Sequence, residues 1–454
     1  MKRLISLTMI LLIVIALAAC RPNTTNSIEG METKAEPSTY LAKEYKEDYL
    51  QACRLITDNY IYLEQKLHTS RQEFWNDRKK YAETVNWELG QPQFVDELRK
   101  LRSIFHDGHF GWYLSNESAQ KSMYLGFTPT ISKEGKVIVG KVYNGFTDKV
   151  FTGDEIIKWN GNDITPEIKA LSRLNPQSSE SATNELAARR LTLELPIQPL
   201  RKKLEPVNLT LVDSKGTAKE VQLNWKPCNI TTDWQLVMKE KRPNTILMHR
   251  SMEASLEEIP EDAKFINSSL LYYTRVINSK KYTILHPRDF YHWSQQDLDN
   301  TFEKIEQDQP DIVVVDLKDT AGGTFDQVLF LSHSLGVRKN FKFNYDCIDS
   351  ETGERFSGTD SFESIADEIK LQHIWKGKVI FRINPLTKSG GDFFIRWMQL
   401  SNRGYIIGLP SAGAGGGTDS FDLRHSKAEI DIPMRDRHIL GDLKPIEACP
   451  TIPN

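Results

Sequence analysis

The chain has 454 residues, 39% hydrophobic and 26% charged, with a formal net charge of -3. That balance suits two or three globular units with their own cores and excludes a disordered or fibrous chain. Lys and Arg (58) nearly match Asp and Glu (61) and are spread along the sequence, so no basic stripe tracks a phosphate backbone and nucleic acid is not an expected partner.

The first twenty residues, MKRLISLTMILLIVIALAAC, have a basic start, an apolar run from Leu4 to Leu17 and small residues ahead of Cys20, the layout of an export signal. The LAAC ending resembles the bacterial lipobox. That resemblance implies cleavage before Cys20 and lipid on the new N-terminus, with the body held at a membrane surface of the cell envelope, outside the cytoplasm. No later stretch reaches the roughly 18 to 20 apolar residues that a span requires. Residues 21–38 are polar and read as a tether. Four further cysteines, Cys53, Cys228, Cys347 and Cys449, permit two disulfides in three pairings or four free thiols. No C-x-x-C or H-E-x-x-H occurs, so the usual zinc signatures are missing.

Apolar residues recur at threes and fours from Tyr40 to about Phe105, which predicts a small helical domain over 39–120 ending at HDGH (106–109). The pattern then changes to short alternating strands at 136–143, 154–161, 207–213 and 219–225. Within this segment FTGDEIIKWNGNDI (151–164) resembles the core of PDZ domains, and YLGF (124–127) resembles their carboxylate-binding loop, with Tyr124 where glycine is usual. A PDZ-like domain over 121–227 follows, with Leu125, Gly126 and Phe127 as its implied peptide-binding residues.

From 228 to 454 strands and helices alternate. Strands are predicted at 281–287, 311–317, 378–384 and 405–408, and helices at 295–308, from about Phe325 and after Ser389. Such alternation predicts a mixed or parallel sheet packed by helices.

Three segments here could do chemistry. DLKDTAGG (316–323) leaves a strand directly into glycines, whose backbone can approach a ligand. Ser389 follows another strand and precedes Gly390 and Gly391. An oxyanion formed by its attack could use the Gly390 amide with one from Gly322 or Gly323. Read locally, Ser389 and Asp392 also form S-x-x-D, a capping-box-like helix start. The glycine run 413–417 lacks the G-K-[ST] ending of a phosphate loop and reads as a substrate-side loop or a flexible turn.

In this order, HDGH, a PDZ-like module, DLKDTAGG, PLTKSGGD (385–392) and GLPSAGAGGGT (408–418) resemble the tail-specific, or C-terminal-processing, serine peptidase family. The resemblance implies an α/β peptidase domain of the ClpP/crotonase-like type, with an N-terminal helical domain and a PDZ-like β-rich domain. Thr387 and Ser389 match the family's nucleophile segment. Lys318, Thr320 and Asp392 stand where it has Arg, Asn and Glu. One branch uses a lysine base about two dozen residues past the serine, but no lysine lies between Lys388 and Lys427. The tricorn-like branch takes a histidine ahead of the PDZ-like module, which implies His109 as base. Its closing glutamate corresponds to Glu447, with Asp107 and Asp392 as alternatives. Gly108 replaces the serine that tricorn carries beside its histidine.

Imidazole titrates near neutrality and can take and return a proton. His109 could otherwise end a helix or pair with His106 on a metal. Six further histidines, at 286, 292, 333, 373, 425 and 438, read as structural. The resemblance thus implies a peptidase acting on polypeptides without metal or cofactor. Two rivals remain: an inactive member of the fold that binds peptides or hydrophobic ligands, and a lipoprotein scaffold that docks partners through the PDZ-like module.

Overall fold

Tyr45, Tyr49, Ala52, Cys53 and Ile56 form one apolar stripe along helix α1 (Ala42–Asn59), and all five are buried. The computed structural model describes residues 41–114, 121–143, 146–195, 203–231, 245–247, 259–337, 342–349, 352–361, 369–442 and 444–454. The export-signal segment, Cys20 and the tether lie outside the described residues. Helices α2 (Leu63–Leu67), α3 (Arg71–Ala82) and α4 (Gln91–Ser103) complete the helical segment. Ser70 and Glu73 close a capping box at the start of α3.

These helices do not close a core alone. Their buried side chains pack with Ile348, Leu423, Ile430, Ile432 and Met434, which come from the other end of the chain. Strands 342–348, 355–361, 417–422 and 429–439 form one sheet with strand 111–113. The segment that sequence pattern sets apart is therefore fused by packing to the C-terminal part, and Tyr40–Asn454 forms one compact unit.

The PDZ-like sheet runs in the antiparallel order β1 (Phe127–Ile131), β2 (Val137–Val142), β3 (Glu155–Trp159), β4 (Val207–Val212) and β5 (Ala218–Leu223). Helices α5 (Ile164–Leu174) and α6 (Glu180–Arg190) accompany it. Sequence periodicity did not disclose α6, because Glu185, Arg189 and Arg190 are buried on it and break the expected apolar stripe.

The second large sheet has the order β6 (Lys264–Phe265), β7 (Leu270–Ile277), β8 (Lys280–Pro287), β9 (Ile312–Asp316), β10 (Lys378–Ile383) and β11 (Tyr405–Gly408). Strands β8 to β11 are parallel, and β6 and β7 add antiparallel. Helices α7 (Gln295–Asp308), α8 (Phe325–Ser334) and α9 (Gly390–Leu400) join the parallel strands. Val313, Val315 and Phe381 are wholly buried with Phe302, Leu331 and Phe394 from the helices. This is the α/β architecture expected, with its PDZ-like and helical companions. The carboxyl ends of β9 and β10 open onto the glycine loop and Ser389. Cys53, Cys228, Cys347 and Cys449 are free thiols.

Candidate active site

Ser389 lies between β10 and α9 with φ +55° and ψ −123°. Few non-glycine residues adopt that conformation, which costs on the order of 1–3 kcal/mol. Its side chain does not cap α9, so the capping-box reading does not describe this serine. Its hydroxyl is hydrogen-bonded to no described residue, and its N–H donates to Ala414 O at 3.1 Å. Asp392 turns instead to the glycine run, accepting from Gly413 N (3.1 Å) and Ala414 N (2.9 Å). Burial pushes its carboxyl up to about 7, although Ser411 and these amides pull the other way. The run 413–417 is therefore a bonded clasp rather than a flexible turn.

The glycine loop touches the serine directly. Asp319 has φ +61°, Gly322 +87° and Gly323 +150°. A methyl on Gly322 would lie 2.4 Å from Ser389 Cβ, and one on Gly323 would lie 2.2 Å from Phe290 O, so only glycine fits. Phe290 N–H donates to Gly322 O (2.7 Å) and accepts from Thr324 N–H through its carbonyl (2.8 Å). This parallel bridge turns the Gly323 N–H to the opposite side. There it meets the start of α9, where a methyl on Gly390 would stand 3.1 Å from Gly323 N. Gly390, first in its helix, has no acceptor within that helix for its own N–H. Two of the predicted donors, Gly323 and Gly390, thus flank Ser389, while Gly322 provides the close approach.

A buried ionic chain pins this loop to the PDZ-like domain. Arg189 donates to Asp319 through both terminal nitrogens (2.8 and 2.7 Å) and to Glu185 through Nε (2.7 Å). Asn384 adds a bond to Asp319 at 2.6 Å. Glu185 also accepts from Thr130 Oγ1 and Ile131 N, each at 2.9 Å. An Ile131 amide on edge strand β1, where an added peptide strand would pair, is thereby occupied.

His109 arrives from α4 through left-handed His106 and buried Asp107. Asp107 does not end the helix; its Oδ1 accepts from His109 N (2.9 Å), and its Oδ2 from Tyr60 Oη (2.8 Å) and Lys66 Nζ (3.1 Å). Glu447 accepts from Lys66 Nζ (2.5 Å) and Gly415 N (3.0 Å). Asp107, His109 and Glu447 offer atoms that all lie within 4.8 Å of one another. The exposed His106 is not in that set, and the Lys66 ammonium bridges its two carboxylates.

Both His109 ring nitrogens are covered from solvent and make no hydrogen bond among the described residues, although the residue as a whole keeps some exposed surface. Burial pushes its pKa down to about 4; Asp107 opposes this, and Lys388 and Lys66 add to it. Burial disfavours ionised Asp107, but Lys66 and His109 hold it below its ordinary value. Burial and the charge of Asp107 push Glu447 up to about 7. Two carboxylates sharing one ammonium resist ionising together.

The structure therefore brings His109, Glu447 and the loops around Ser389 into one neighbourhood. Gly108 packs 3.5 Å, measured from a methyl built on it, from the side chain of Ala414, whose carbonyl holds Ser389 N–H. It does not join imidazole to serine, nor Glu447 to imidazole, by a hydrogen bond. Lys66 takes Glu447 because a full positive charge attracts a carboxylate more strongly than a neutral ring does. Lys66, Tyr60 and Arg189 were missed by sequence reasoning, and no local motif marks them.

The predicted PDZ-like loop is partly used by the fold itself. Leu125 and Phe127 are buried, and Leu125 N–H donates to Thr192 O (3.1 Å), so that amide is taken by the fold. Gly126 has φ +97° and abuts Phe146. Outside the site, His292, His373, His425 and His438 each pair with an acid.

Residues 281–436 match the family model described as Peptidase family S41, and residues 121–240 match a PDZ domain model. Among solved structures, mature CPAF aligns with a TM-score of 0.66 at 13% identity, covering 91% of this chain and 92% of that one. CPAF complexed with lactacystin gives 0.64 at 13%, covering 91% and 93%. The photosystem II D1 C-terminal processing protease gives 0.47 at 14%, covering 90% and 92%. At such identities the CPAF likeness shows a common fold. No curated protein matches the chain in sequence.

Proposed function

The chain belongs to the tail-specific peptidase family, peptidase family S41, and from that membership we propose a serine endopeptidase whose nucleophile is Ser389 and whose base is His109. Ser389 Oγ attacks a substrate carbonyl as its proton passes to the imidazole, and the Gly323 and Gly390 amides receive the oxyanion. His109 then gives that proton to the leaving amine, and water releases the acyl group by the same path in reverse. Asp107 and Glu447 face the imidazole and offset the charge it gains. The observation that carries this reading is Ser389 itself: a strained, unbonded serine flanked by two amides, beside a buried imidazole with two unbonded nitrogens. Hydrogen bonds of this kind often tighten only when substrate is bound.

Substrate is proposed to be unstructured or carboxyl-terminal polypeptide. A peptide strand adding to β1 would displace Glu185 from Ile131. The LAAC ending supports export and lipidation at Cys20, giving an envelope protein at a membrane surface. Detergent partitioning of wild type against Cys20→Ala tests the anchor.

The full chain in detergent, treated with a fluorophosphonate probe, should be labelled at Ser389 and should cleave β-casein; Ser389→Ala should do neither. Failure of the wild type to label and to cleave would overturn the enzyme. The missing Ser389–His109 bond favours the second reading, a non-cleaving binder, which would stand if the unlabelled wild type bound peptide and Ser389→Ala bound it equally well.

A further inference from the structure

The glycine loop is held along its length by the segment that leaves β8. Thr320 Oγ1 donates to Pro287 O (2.8 Å), and Ala321 N–H to Arg288 O (3.1 Å). Phe290 follows with its two bonds to Gly322 and Thr324, at 2.7 and 2.8 Å. Residues 287–290 thus carry the parallel pairing of β8 with β9 beyond Val315 and decide which way each amide of the loop points. The direction of Gly323 N–H is therefore set by the backbone of Phe290.

That backbone is fixed in turn by Asp289, a buried residue to which the mechanism gives no part. Its Oδ2 accepts from Ser269 Oγ (2.8 Å), its Oδ1 from Tyr291 N–H (3.0 Å), and its carbonyl from Trp293 Nε1 (2.7 Å). Exposed His292 places Nδ1 3.3 Å from Asp289 Oδ1 and 3.2 Å from Ser269 Oγ. Ser269 lies just ahead of β7, and its carbonyl accepts from Arg288 N–H (2.8 Å). The segment is thus clasped to β7 on one side and to the glycine loop on the other. Ser269, His292 and Asp289 have the composition of a second triad, but their contacts exclude one. In a triad the imidazole stands between serine and carboxylate, with one on each ring nitrogen; here both meet the same Nδ1, and Ser269 is only 2% exposed. The three side chains fix a backbone instead.

We propose that Asp289, braced by Ser269 and His292, is a positioning residue for the oxyanion hole: it holds residues 287–290 in the register that aims Gly323 N–H at the carbonyl oxygen of the bond Ser389 attacks. The proposal rests on the peptidase reading for the purpose of that aim, while the hold on the loop is measurable without turnover. Gly323 has φ +150°, and a methyl built on it would lie 2.2 Å from Phe290 O, so the two backbones are in direct contact and a shift of Phe290 passes to the donor. An oxyanion donor acts on the transition state far more than on bound substrate. Loosening Asp289 therefore lowers kcat and leaves substrate binding in place.

The test compares Asp289→Ala, Asp289→Asn and Ser269→Ala with wild type, each as the full chain in detergent. Asp289→Ala should lose about tenfold or more in kcat against casein, part of what removing a whole oxyanion donor costs, with KM unchanged. Asp289→Asn keeps an acceptor for Tyr291 N–H and the same volume, and should restore most of that loss. Turnover is counted per site titrated with fluorophosphonate. A role in stability alone lowers the titrated fraction and leaves kcat per site unchanged, a result that overturns the proposal. Hydrogen exchange of peptides spanning 316–327 is followed in parallel by mass spectrometry. The Ala321 and Thr324 amides should exchange about tenfold or more faster in Asp289→Ala, with α7 unaffected. If Asp289→Ala fails to fold, Ser269→Ala, which removes one brace, should move kcat and exchange in the same direction by less. Unchanged exchange at 320–324 in a folded variant overturns the positioning role whatever the activity. If exchange there rises while wild type neither labels nor cleaves, the hold on the loop stands and the peptidase falls.

Discussion

Lys66→Met removes the single ammonium that bridges two buried carboxylates. The lysine side chain is 12% exposed, that of Asp107 0% and that of Glu447 3%, so water cannot replace the lost partner cheaply. Deleting one member of a buried ionic cluster costs about 3–5 kcal/mol. For a cooperative unit the size of Tyr40–Asn454, an unfolding entropy of roughly 2 cal/mol/K per residue means each kcal/mol moves Tm by about 1 °C, giving a fall of roughly 3–6 °C at pH 8. The deficit should shrink with acid. Glu447, raised to about 7, contributes a stabilising proton fully present below its unfolded value and lost as pH rises through the folded one. At pH 5 that proton takes over part of what the ammonium does. Differential scanning calorimetry of the full chain in detergent at pH 8 and pH 5 measures both numbers. A drop under 2 °C at pH 8, or equal drops at both pH values, would refute the bridging role.

Three further outcomes follow from the same geometry. Gly322→Ala should lower casein cleavage by about a hundredfold, because its methyl would sit 2.4 Å from Ser389 Cβ and displace the nucleophile; circular dichroism beside the activity assay separates this from loss of fold. Arg189→Met strands Glu185 and Asp319 without their cation and should cost about 3–5 kcal/mol in urea unfolding, with activity falling as the glycine loop loosens. His109 is depressed from 6.5 to about 4 by burial, so its contribution is complete above pH 6.5 and lost as pH falls toward 4. His109→Leu should therefore gain on wild type by about 3 kcal/mol over that interval, and a constant difference in paired pH–stability curves would disprove a neutral, desolvated imidazole.

The sequence disclosed what depends on local periodicity. The apolar run at 312–316 and the pattern at 295–308 became β9 and α7, because short buried strands and amphipathic helices write their faces into adjacent residues. Gly322 and Gly323 were legible as a close backbone approach for the same reason. What stayed hidden was set by contacts across hundreds of residues. Lys66 and Glu447 are 381 positions apart, and nothing near either one announces the other. Arg189 looks like an ordinary solvated helix charge until Asp319, 130 positions on, is placed beside it. Ser389 was ambiguous locally because a cap and a nucleophile share the same S-x-x-D spacing. Its positive φ and the diversion of Asp392 to Gly413 and Ala414 separate the two.

Charge around His109 links these observations to turnover. The imidazole must become a cation while Lys66 and Lys388 already act on it unfavourably and Asp107 favourably. At an effective dielectric near 20, two unit charges about 4 Å apart interact by about 4 kcal/mol, so charges close to the ring can weigh on its basicity alongside burial. Removing the Lys388 charge, as in Lys388→Gln, therefore returns part of what the resting site withholds. Burial is untouched by that change and keeps the imidazole a weak base. The acid limb of kcat/KM, which reports free enzyme, should then stay near the resting His109 value in wild type. In Lys388→Gln that limb should move upward, and an unmoved limb would refute the coupling of the two charges.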